Sequence, residues 1–245
     1  MMRVAIIGAT SALAHETAKC FAKNGAELFL VARNAEKLQA VADDLKVRGA
    51  PRVETYVLDL NELERHEEML TTAVQTFQGL DRLLIAHGTL GDQRKCELSV
   101  AETLQELNTN LISIISLLTL SANYFEEQKR GCIAVISSVA GDRGRGSNYV
   151  YGTAKSALTT FLQGLRNRLS KAHVSVVTIK PGTVDTPMTA GLKKGLLFAN
   201  PRVVGEGIYH AMQSGKDVVY LPGYWRPIMF VVKSIPEKIF KRLSL

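Results

Sequence analysis

The fold is decided by residues 3–14, which read Arg3-Val4-Ala5-Ile6-Ile7-Gly8-Ala9-Thr10-Ser11-Ala12-Leu13-Ala14. The apolar run 3–7 predicts a buried strand, and the residues after Gly8 predict a helix over 12–24. A glycine at a strand end permits a tight turn, so the backbone N–H groups at the helix N-terminus can hold a pyrophosphate. This turn is a weak signal by itself, because Ala12 and Ala14 stand where glycines are expected.

Short apolar runs alternate with segments of helical period along the rest of the chain. The runs are apolar on both faces, as a sheet covered by helices on both sides requires. Such alternation implies right-handed crossovers, so we predict one domain over 1–245 with an α/β, doubly wound, seven-stranded parallel sheet in three layers, the Rossmann fold. Predicted strands cover 3–7, 27–32, 53–58, 82–86, 132–137, 174–179 and 217–221, and predicted helices cover 12–24, 35–48, 62–77, 101–128, 147–171 and 203–214.

The composition excludes several classes of protein. Hydrophobic residues make up 46% and charged residues 22% of the chain, as is ordinary for a globular protein. No apolar run reaches the roughly 18 residues that a membrane-spanning helix needs. The three cysteines lack metal-ligand spacing, so we expect reduced thiols, no metal and a cytoplasmic location. No basic groove or aromatic platform indicates nucleic-acid binding.

Ser138, Tyr151 and Lys155 form the strongest chemical signal. Tyr151 and Lys155 are four residues apart on a predicted helix, so their side chains share one face. A neighbouring ammonium favours a phenolate, and we therefore expect Lys155 to lower the pKa of Tyr151. Ser138 follows the strand 132–137, where its hydroxyl can bond a reacting oxygen, and Asn110 lies on the preceding long helix.

These residues resemble the motifs of the short-chain dehydrogenase/reductase family, and the resemblance covers essentially the whole chain. It implies hydride transfer between a nicotinamide cofactor and a carbonyl or alcohol. It implies that Tyr151 passes a proton to or from the substrate oxygen and that Lys155 holds the nicotinamide ribose. It also implies that Ser138 orients the carbonyl and that Asn110 holds a water in a proton relay. The matching stretches are Ile136-Ser137-Ser138-Val139-Ala140-Gly141, Asn110, Tyr151-Gly152-Thr153-Ala154-Lys155 and Pro181-Gly182-Thr183-Val184-Asp185-Thr186-Pro187.

The cofactor is expected beyond the carboxyl ends of the strands. Arg33 follows the second strand, and Ala32 stands where an acid would bind a ribose hydroxyl. An arginine attracts a 2′-phosphate, so we prefer NADP(H), with NAD(H) as the alternative. The resemblance places the adenine at Asp59 and Leu60. The predicted cofactor contacts are Gly8, Thr10, Ser11, Ala12, Leu13, Arg33, Asp59, Leu60, Ala86, His87, Gly88, Tyr151, Lys155, Pro181, Gly182, Val184 and Thr186.

Two motifs depart from the family pattern. Ile7, Ala12 and Ala14 replace a threonine and two glycines in the first turn, which puts the affinity for the cofactor in question. The family's Asn-Asn-Ala-Gly turn reads Ile85-Ala86-His87-Gly88 here. His87 is a proton donor or substrate ligand in one interpretation, and in the interpretation that we prefer it hydrogen-bonds a loop.

Two loops flank the predicted substrate side. The loop 141–147 carries Arg143 and Arg145, which either recognise phosphate or carboxylate on the substrate or belong to a solvated turn. Residues 189–200 are expected to form a mobile lid.

The tail over 222–245 is basic and apolar. From residue 226 onward it carries five basic residues and one acid. A helix over 237–245 would place Ile239, Phe240 and Leu243 on one face. Such a tail either contacts a membrane interface or, in the interpretation that we prefer, packs on a partner subunit or over the substrate cleft.

The tail, together with Ala86-His87-Gly88, is similar to keto-reductases that act on polyprenyl-phospho-sugars, as in decaprenylphosphoryl-ribose epimerisation. This similarity implies a lipid-linked 2-keto sugar as substrate. The alternatives are a 3-ketoacyl thioester reductase or general carbonyl reductase with small-molecule substrates, and a cofactor-binding sensor or scaffold without turnover. Family members associate through the helices predicted here at 101–128 and 147–171, which implies a homo-dimer or tetramer.

Overall fold

Seven parallel strands form one sheet in the computed structural model, which describes residues 1–191 and 193–243. The strands are β1 (Arg3–Ile7), β2 (Glu27–Ala32), β3 (Val53–Val57), β4 (Arg82–Ile85), β5 (Gly131–Ile136), β6 (Val174–Pro181) and β7 (Val218–Leu221). Their order across the sheet is β3-β2-β1-β4-β5-β6-β7, so the chain winds first to one side of β1 and then, from β4, to the other. The predicted doubly wound Rossmann fold is confirmed.

Helices cover both faces of this sheet, as its apolar strands require. The core on one face joins α1, α2 and α8 to the strands, and the core on the other face joins α3, α6 and α7 to them. The helices are α1 (Ala12–Lys23), α2 (Ala35–Val47), α3 (His66–Phe77), α4 (Gln93–Leu98), α5 (Val100–Leu107), α6 (Ser113–Gln128), α7 (Tyr149–Leu169), α8 (Pro201–Ser214), α9 (Trp225–Ser234) and α10 (Glu237–Phe240).

The helix predicted over 101–128 is not one uniform helix. A π-helical turn, Asn108–Ile112, separates α5 from α6, and it lies where Asn110 must point inward. A π turn inserts an extra residue without changing the hydrophobic pattern, so periodicity could not reveal it. The prediction also missed α4, which is too short to show a period and is capped by Asp92 through the N–H groups of Arg94 and Lys95.

The reversal of winding places two turns side by side at the carboxyl ends of β1 and β4. Ile7 pairs with Ile85 in the sheet, so the turn that starts at Gly8 lies against residues 86–88. Gly8 has φ +81°, and a Cβ there would lie 2.6 Å from the backbone nitrogen of His87. Only glycine fits this position, and ligands of doubly wound sheets bind in the crevice at such a reversal.

The tail folds differently from the prediction. Helix α9 occupies Trp225–Ser234, and beyond it only Glu237–Phe240 is helical, while Ser244 and Leu245 lie outside the described residues. Phe240 is buried under the guanidinium of Arg143 and does not share an exposed face with Ile239. Within residues 1–191 and 193–243, no helix is long and apolar enough to cross a membrane.

Candidate active site

A tight turn after β5 holds Ser138 against α7. A Cβ on Gly141 would lie 2.7 Å from the carbonyl carbon of Lys155, and one on Gly152 would lie 3.1 Å from the carbonyl oxygen of Ala140. These two glycines let the turn and the helix touch through their backbones. The hydroxyl of Ser138 accepts a hydrogen bond from the N–H of Ala140 at 3.1 Å, which leaves its own proton for a partner.

Lys155 lies on the same face of α7 as Tyr151, as predicted. Its Nζ is 5.6 Å from the centroid of the Tyr151 ring and donates to the carbonyl oxygen of Ile136 at 3.2 Å. Burial lowers the pKa of Lys155 to about 8, because no carboxylate compensates for the loss of water. The amine of Lys155 is thus buried, and its pKa lies close to neutral pH.

The predicted direction of the Tyr151 pKa shift is contradicted. Burial raises the pKa of Tyr151 to about 12, although a hydrogen bond with the Ser138 side chain opposes the increase. The phenol is therefore protonated at neutral pH, since desolvation outweighs the hydrogen bond. A protonated phenol is the form that can donate a proton to a carbonyl oxygen.

Asn110 is fully buried in the π turn, beside the residues that follow β4. Its Oδ1 accepts from the N–H of Thr89 at 3.1 Å, and its Nδ2 donates to the Thr89 hydroxyl at 3.1 Å. A Cβ on Gly88 would lie 2.7 Å from Oδ1 of Asn110 and 3.5 Å from Nζ of Lys155. The backbone of Gly88 therefore lies between the side chains of Asn110 and Lys155.

Glu106 is a residue of this site that the sequence did not reveal. It accepts from the amide of Asn110 at 3.0 Å and from the hydroxyl of Thr89 at 2.9 Å. Its negative charge also raises the pKa of Tyr151. The only signal in the sequence was its position one helical turn before Asn110, which places both side chains on one face.

His87 hydrogen-bonds a helix rather than a loop. Its Nε2 lies 2.9 Å from the hydroxyl of Ser113, which itself donates to the carbonyl oxygen of Thr109 at 2.9 Å. Since the Ser113 proton is used, His87 donates from Nε2, and its buried Nδ1 has no partner among the described residues. Burial lowers the pKa of His87 to about 3, so the ring is neutral at physiological pH.

The two alanines of the first turn have different surroundings. Ala14 is fully buried in the core and points away from any cofactor, whereas Ala12 is half-buried near the exposed Thr10. Ser11 caps α1 by accepting from the N–H of Ala14 at 3.2 Å, and the first turn of α1 carries no acid. An anion can therefore approach this helix N-terminus without meeting a negative charge.

Three other predicted cofactor residues lie at the carboxyl edge of the sheet. Arg33 is exposed after β2 and forms no ion pair with any residue that the structure describes. Asp59 accepts from the backbone and side chain of Asn61 at 3.0 and 3.2 Å. Leu60 is buried in the core and its carbonyl oxygen is bonded to Nε2 of His66 at 3.1 Å, so only its backbone N–H remains for an adenine.

The predicted carboxamide segment follows β6. Pro181 is the last residue of β6, and Val184 is buried and pairs with Ala199 in an isolated bridge. The backbone N–H of Thr186 donates to the hydroxyl of Thr189 at 3.2 Å.

Helix α9 forms a wall beside this segment. The Trp225 ring lies directly over Gly182, where a Cβ would come within 1.8 Å of the indole. Trp225 and Met229 also pack on Val139, the neighbour of Ser138. Trp225 and Met229 of the tail thus pack beside Ser138 and Gly182, while covering of a substrate and contact of the tail with a membrane or a partner subunit stay predictions.

Gly182→Ala is expected to displace Trp225 and to destabilise the protein by about 1–3 kcal/mol, as overpacking does. The wall of the site would move with α9, so KM for the substrate should rise. Thermal unfolding and steady-state kinetics measure both effects. Gly144→Ala is the matched control, because a Cβ there meets nothing within 4 Å. Equal melting temperatures for the two variants would contradict the packing argument.

The two arginines of the loop after Ser138 have different roles. Arg143 donates to the backbone of Lys233 at 3.0 Å and to the carboxylate of Glu237 at 2.8 Å, and it stacks on Phe240. Arg145 has no ion pair or side-chain hydrogen bond among the described residues, although its Nε is buried. Burial lowers the pKa of Arg145, opposed only by the charge of Asp142.

A buried ionic cluster joins this loop to β6 and β7. Lys180 forms a salt bridge with Asp142, and the two side chains are only 8% and 4% exposed. The hydroxyl of Tyr220 donates to the other oxygen of Asp142 at 2.7 Å. The cluster therefore connects the loop that carries Arg145 with the strand that leads into Pro181.

A family model for short chain dehydrogenases matches residues 2–196. The chain therefore belongs to the short-chain dehydrogenase/reductase family, and it is an NAD(P)-dependent oxidoreductase.

Relatives agree with this assignment, and solved structures share the fold. The chain is 34% identical over 240 residues to an uncharacterized oxidoreductase of Mycobacterium tuberculosis, covering 98% of this chain and 96% of the relative. It is 32% identical over 241 residues to an uncharacterized oxidoreductase of Streptomyces coelicolor, covering 97% and 94%. Levodione reductase has a TM-score of 0.82 at 22% identity, covering 92% of this chain and 98% of that one. An alcohol dehydrogenase from Thermococcus sibiricus complexed with 5-hydroxy-NADP has a TM-score of 0.80 at 23% identity, covering 97% and 100%.

Proposed function

We propose that this protein is an NADP(H)-dependent carbonyl reductase in which Tyr151 donates the proton to the substrate oxygen. The observation that carries the proposal is the position of the Tyr151 phenol, which hydrogen-bonds the Ser138 side chain and whose ring centroid lies 5.6 Å from Nζ of the buried Lys155. A binding module without turnover has no need of this arrangement, so the sensor or scaffold is the weaker alternative.

The residues at the carboxyl edge fit a phosphorylated dinucleotide. Gly8 keeps the first turn tight against His87, and the first turn of α1 carries no acid that would repel a pyrophosphate. Arg33 is exposed and unpaired within the described chain, where a 2′-phosphate would gain charge-assisted hydrogen bonds. The nicotinamide supplies hydride when it is bound.

The chain's own residues then handle the substrate oxygen. Ser138 hydrogen-bonds the carbonyl oxygen and orients it, and Tyr151 gives that oxygen its proton as the alkoxide forms. The ammonium of Lys155 stabilises the phenolate that remains on Tyr151. Asn110 accepts from the backbone N–H of Thr89 and Glu106 accepts from the Thr89 hydroxyl, so the residues around Gly88 keep their position during turnover.

Arg145 favours a substrate that carries an anionic group. Arg145 is half-buried, its buried Nε has no hydrogen-bond partner, and an anionic ligand would supply one. A phosphate or carboxylate on the carbonyl compound would supply it, and the phospho-sugar expected from the sequence is one compound of this kind. A general carbonyl reductase or thioester reductase does not need this residue.

The proposed function is tested by following NADPH oxidation with carbonyl compounds offered in pairs, one bearing a phosphate and one neutral. We expect Arg145→Met to lower kcat/KM by roughly 10- to 100-fold for the anionic member, the equivalent of one charge-assisted hydrogen bond, and to leave the neutral member unchanged. Arg168→Met, at the far end of α7, is the matched control for loss of charge. Absence of turnover with every pair would refute the reductase, whereas equal losses within each pair would refute only the anionic substrate.

Arg33→Asp is expected to reverse the choice of cofactor. The carboxylate would repel a 2′-phosphate and accept from a ribose hydroxyl, so the ratio of kcat/KM for NADPH to that for NADH should fall by about 100-fold or more. Lys23→Asp, an exposed change at the end of α1, is the control for charge. An unchanged ratio would reject the assignment of Arg33.

A further inference from the structure

A cavity on the outer side of α9 is separate from the site described above. It has a volume of about 300 Å³ and is lined by Val218, Tyr220, Arg226, Phe230 and Lys233. The three lining residues of α9 follow the spacing i, i+4, i+7 and therefore share one face of the helix. Trp225 and Met229, which pack against the site, lie on a different face of α9, about 90° around the helix.

The cavity is positively charged. Neither Arg226 nor Lys233 forms an ion pair with its side chain among the described residues, and no acid lines the cavity. The nearby hydroxyl of Tyr220 is already bonded to Asp142. An occupant of this cavity must therefore supply negative charge.

The surface around the cavity is apolar and basic. Phe230 is 72% exposed and Val231 62%, so two large apolar side chains of α9 lie in solvent beside these cations. The one acid of the tail, Glu237, is paired with Arg143 at 2.8 Å. The remaining exposed cations of the tail, besides those lining the cavity, are Lys238, Lys241 and Arg242.

We propose that this face docks on a membrane surface that contains anionic lipid, with a lipid headgroup between Arg226 and Lys233 and with Phe230 and Val231 in the interfacial layer. Apolar side chains flanked by unpaired cations are what binding to such an interface requires. A second copy of the chain related by a two-fold axis would bring the same unpaired cations together, which costs free energy. Charge complementarity therefore selects the lipid surface over self-association.

The experiment is co-sedimentation of the full chain with vesicles of about 70% phosphatidylcholine and 30% phosphatidylserine, which have a negative surface potential. Vesicles of phosphatidylcholine alone serve as the neutral comparison. We expect binding to the anionic vesicles that weakens as salt is added. Each cation near an anionic surface contributes about five-fold to partitioning, so Arg226→Gln combined with Lys233→Gln should weaken binding about 25-fold.

The matched control is Lys46→Gln combined with Arg48→Gln at the C-terminal end of α2, which removes the same net charge from a distant surface. It should bind vesicles as the unchanged protein does. Circular dichroism and NADPH binding show that each variant is folded. The proposal is overturned by failure to bind anionic vesicles at low salt, by equal binding to neutral vesicles, or by equal losses in both double variants. It is also overturned if light scattering shows that the α9 variant dissociates an oligomer, since a second copy would then occupy this face.

Discussion

Tyr151→Phe is expected to lower kcat by about a thousand-fold, within the range that a positioned acid contributes. The change removes only the hydroxyl, and the ring that packs near Nζ of Lys155 remains. Because the pKa of Tyr151 is raised to about 12, the native phenol carries its proton at any ordinary assay pH, and phenylalanine has no proton to give. Stopped-flow measurement of NADPH oxidation with the best substrate tests this loss.

Tyr149→Phe is the matched control, because Tyr149 begins α7 two residues earlier and is 44% exposed. Residues two apart lie on different sides of a helix, so this change should leave kcat within about two-fold. NADPH should bind both variants, as nicotinamide fluorescence would show. A Tyr151→Phe enzyme that keeps more than about a tenth of the native rate would exclude the proton role.

Asp142→Asn is expected to destabilise the protein by about 3–5 kcal/mol, because it leaves the buried ammonium of Lys180 without its counter-charge. In a chain of this size such a loss lowers Tm by roughly 10 °C. Activity should fall as well, since the cluster with Tyr220 holds the loop after Ser138 to the strand that precedes Pro181. Urea denaturation followed by circular dichroism measures the free energy of unfolding.

Asp43→Asn is the control, because Asp43 forms an exposed surface pair with Lys46 at 3.8 Å, and its loss should cost less than about 1 kcal/mol. Replacing the pair by apolar residues of similar size, Asp142→Leu with Lys180→Met, should recover most of the stability lost by Asp142→Asn. A destabilisation no larger than that of Asp43→Asn would show that the cluster does not hold the loop.

The sequence was sufficient to predict the positions of those site residues that depend only on local pattern and chain topology. Tyr151 and Lys155 share a face because they are four residues apart on a helix, and Ser138 reaches them because parallel strands end at one edge. The dimer or tetramer, the cytoplasmic location and the lid motion stay predictions.

The properties that the sequence could not determine depend on what surrounds each side chain. The direction of the Tyr151 pKa shift was wrong because the spacing shows a nearby ammonium but not the loss of water, and burial is the larger effect. Arg143 and Arg145 are indistinguishable in the sequence, since only the folding of the tail onto the loop pairs one of them and leaves the other free.

The chain by itself determined the doubly wound parallel sheet, the helix that carries Tyr151 and Lys155 and the edge at which ligands are expected, because these follow from periodicity and from the handedness of crossovers. Tertiary structure alone decided the π turn that directs Asn110 inward, the position of Glu106, the contact of Trp225 with Gly182 and the buried pair of Asp142 with Lys180. These contacts join residues far apart in the chain, and their electrostatics depend on burial, which no local pattern encodes.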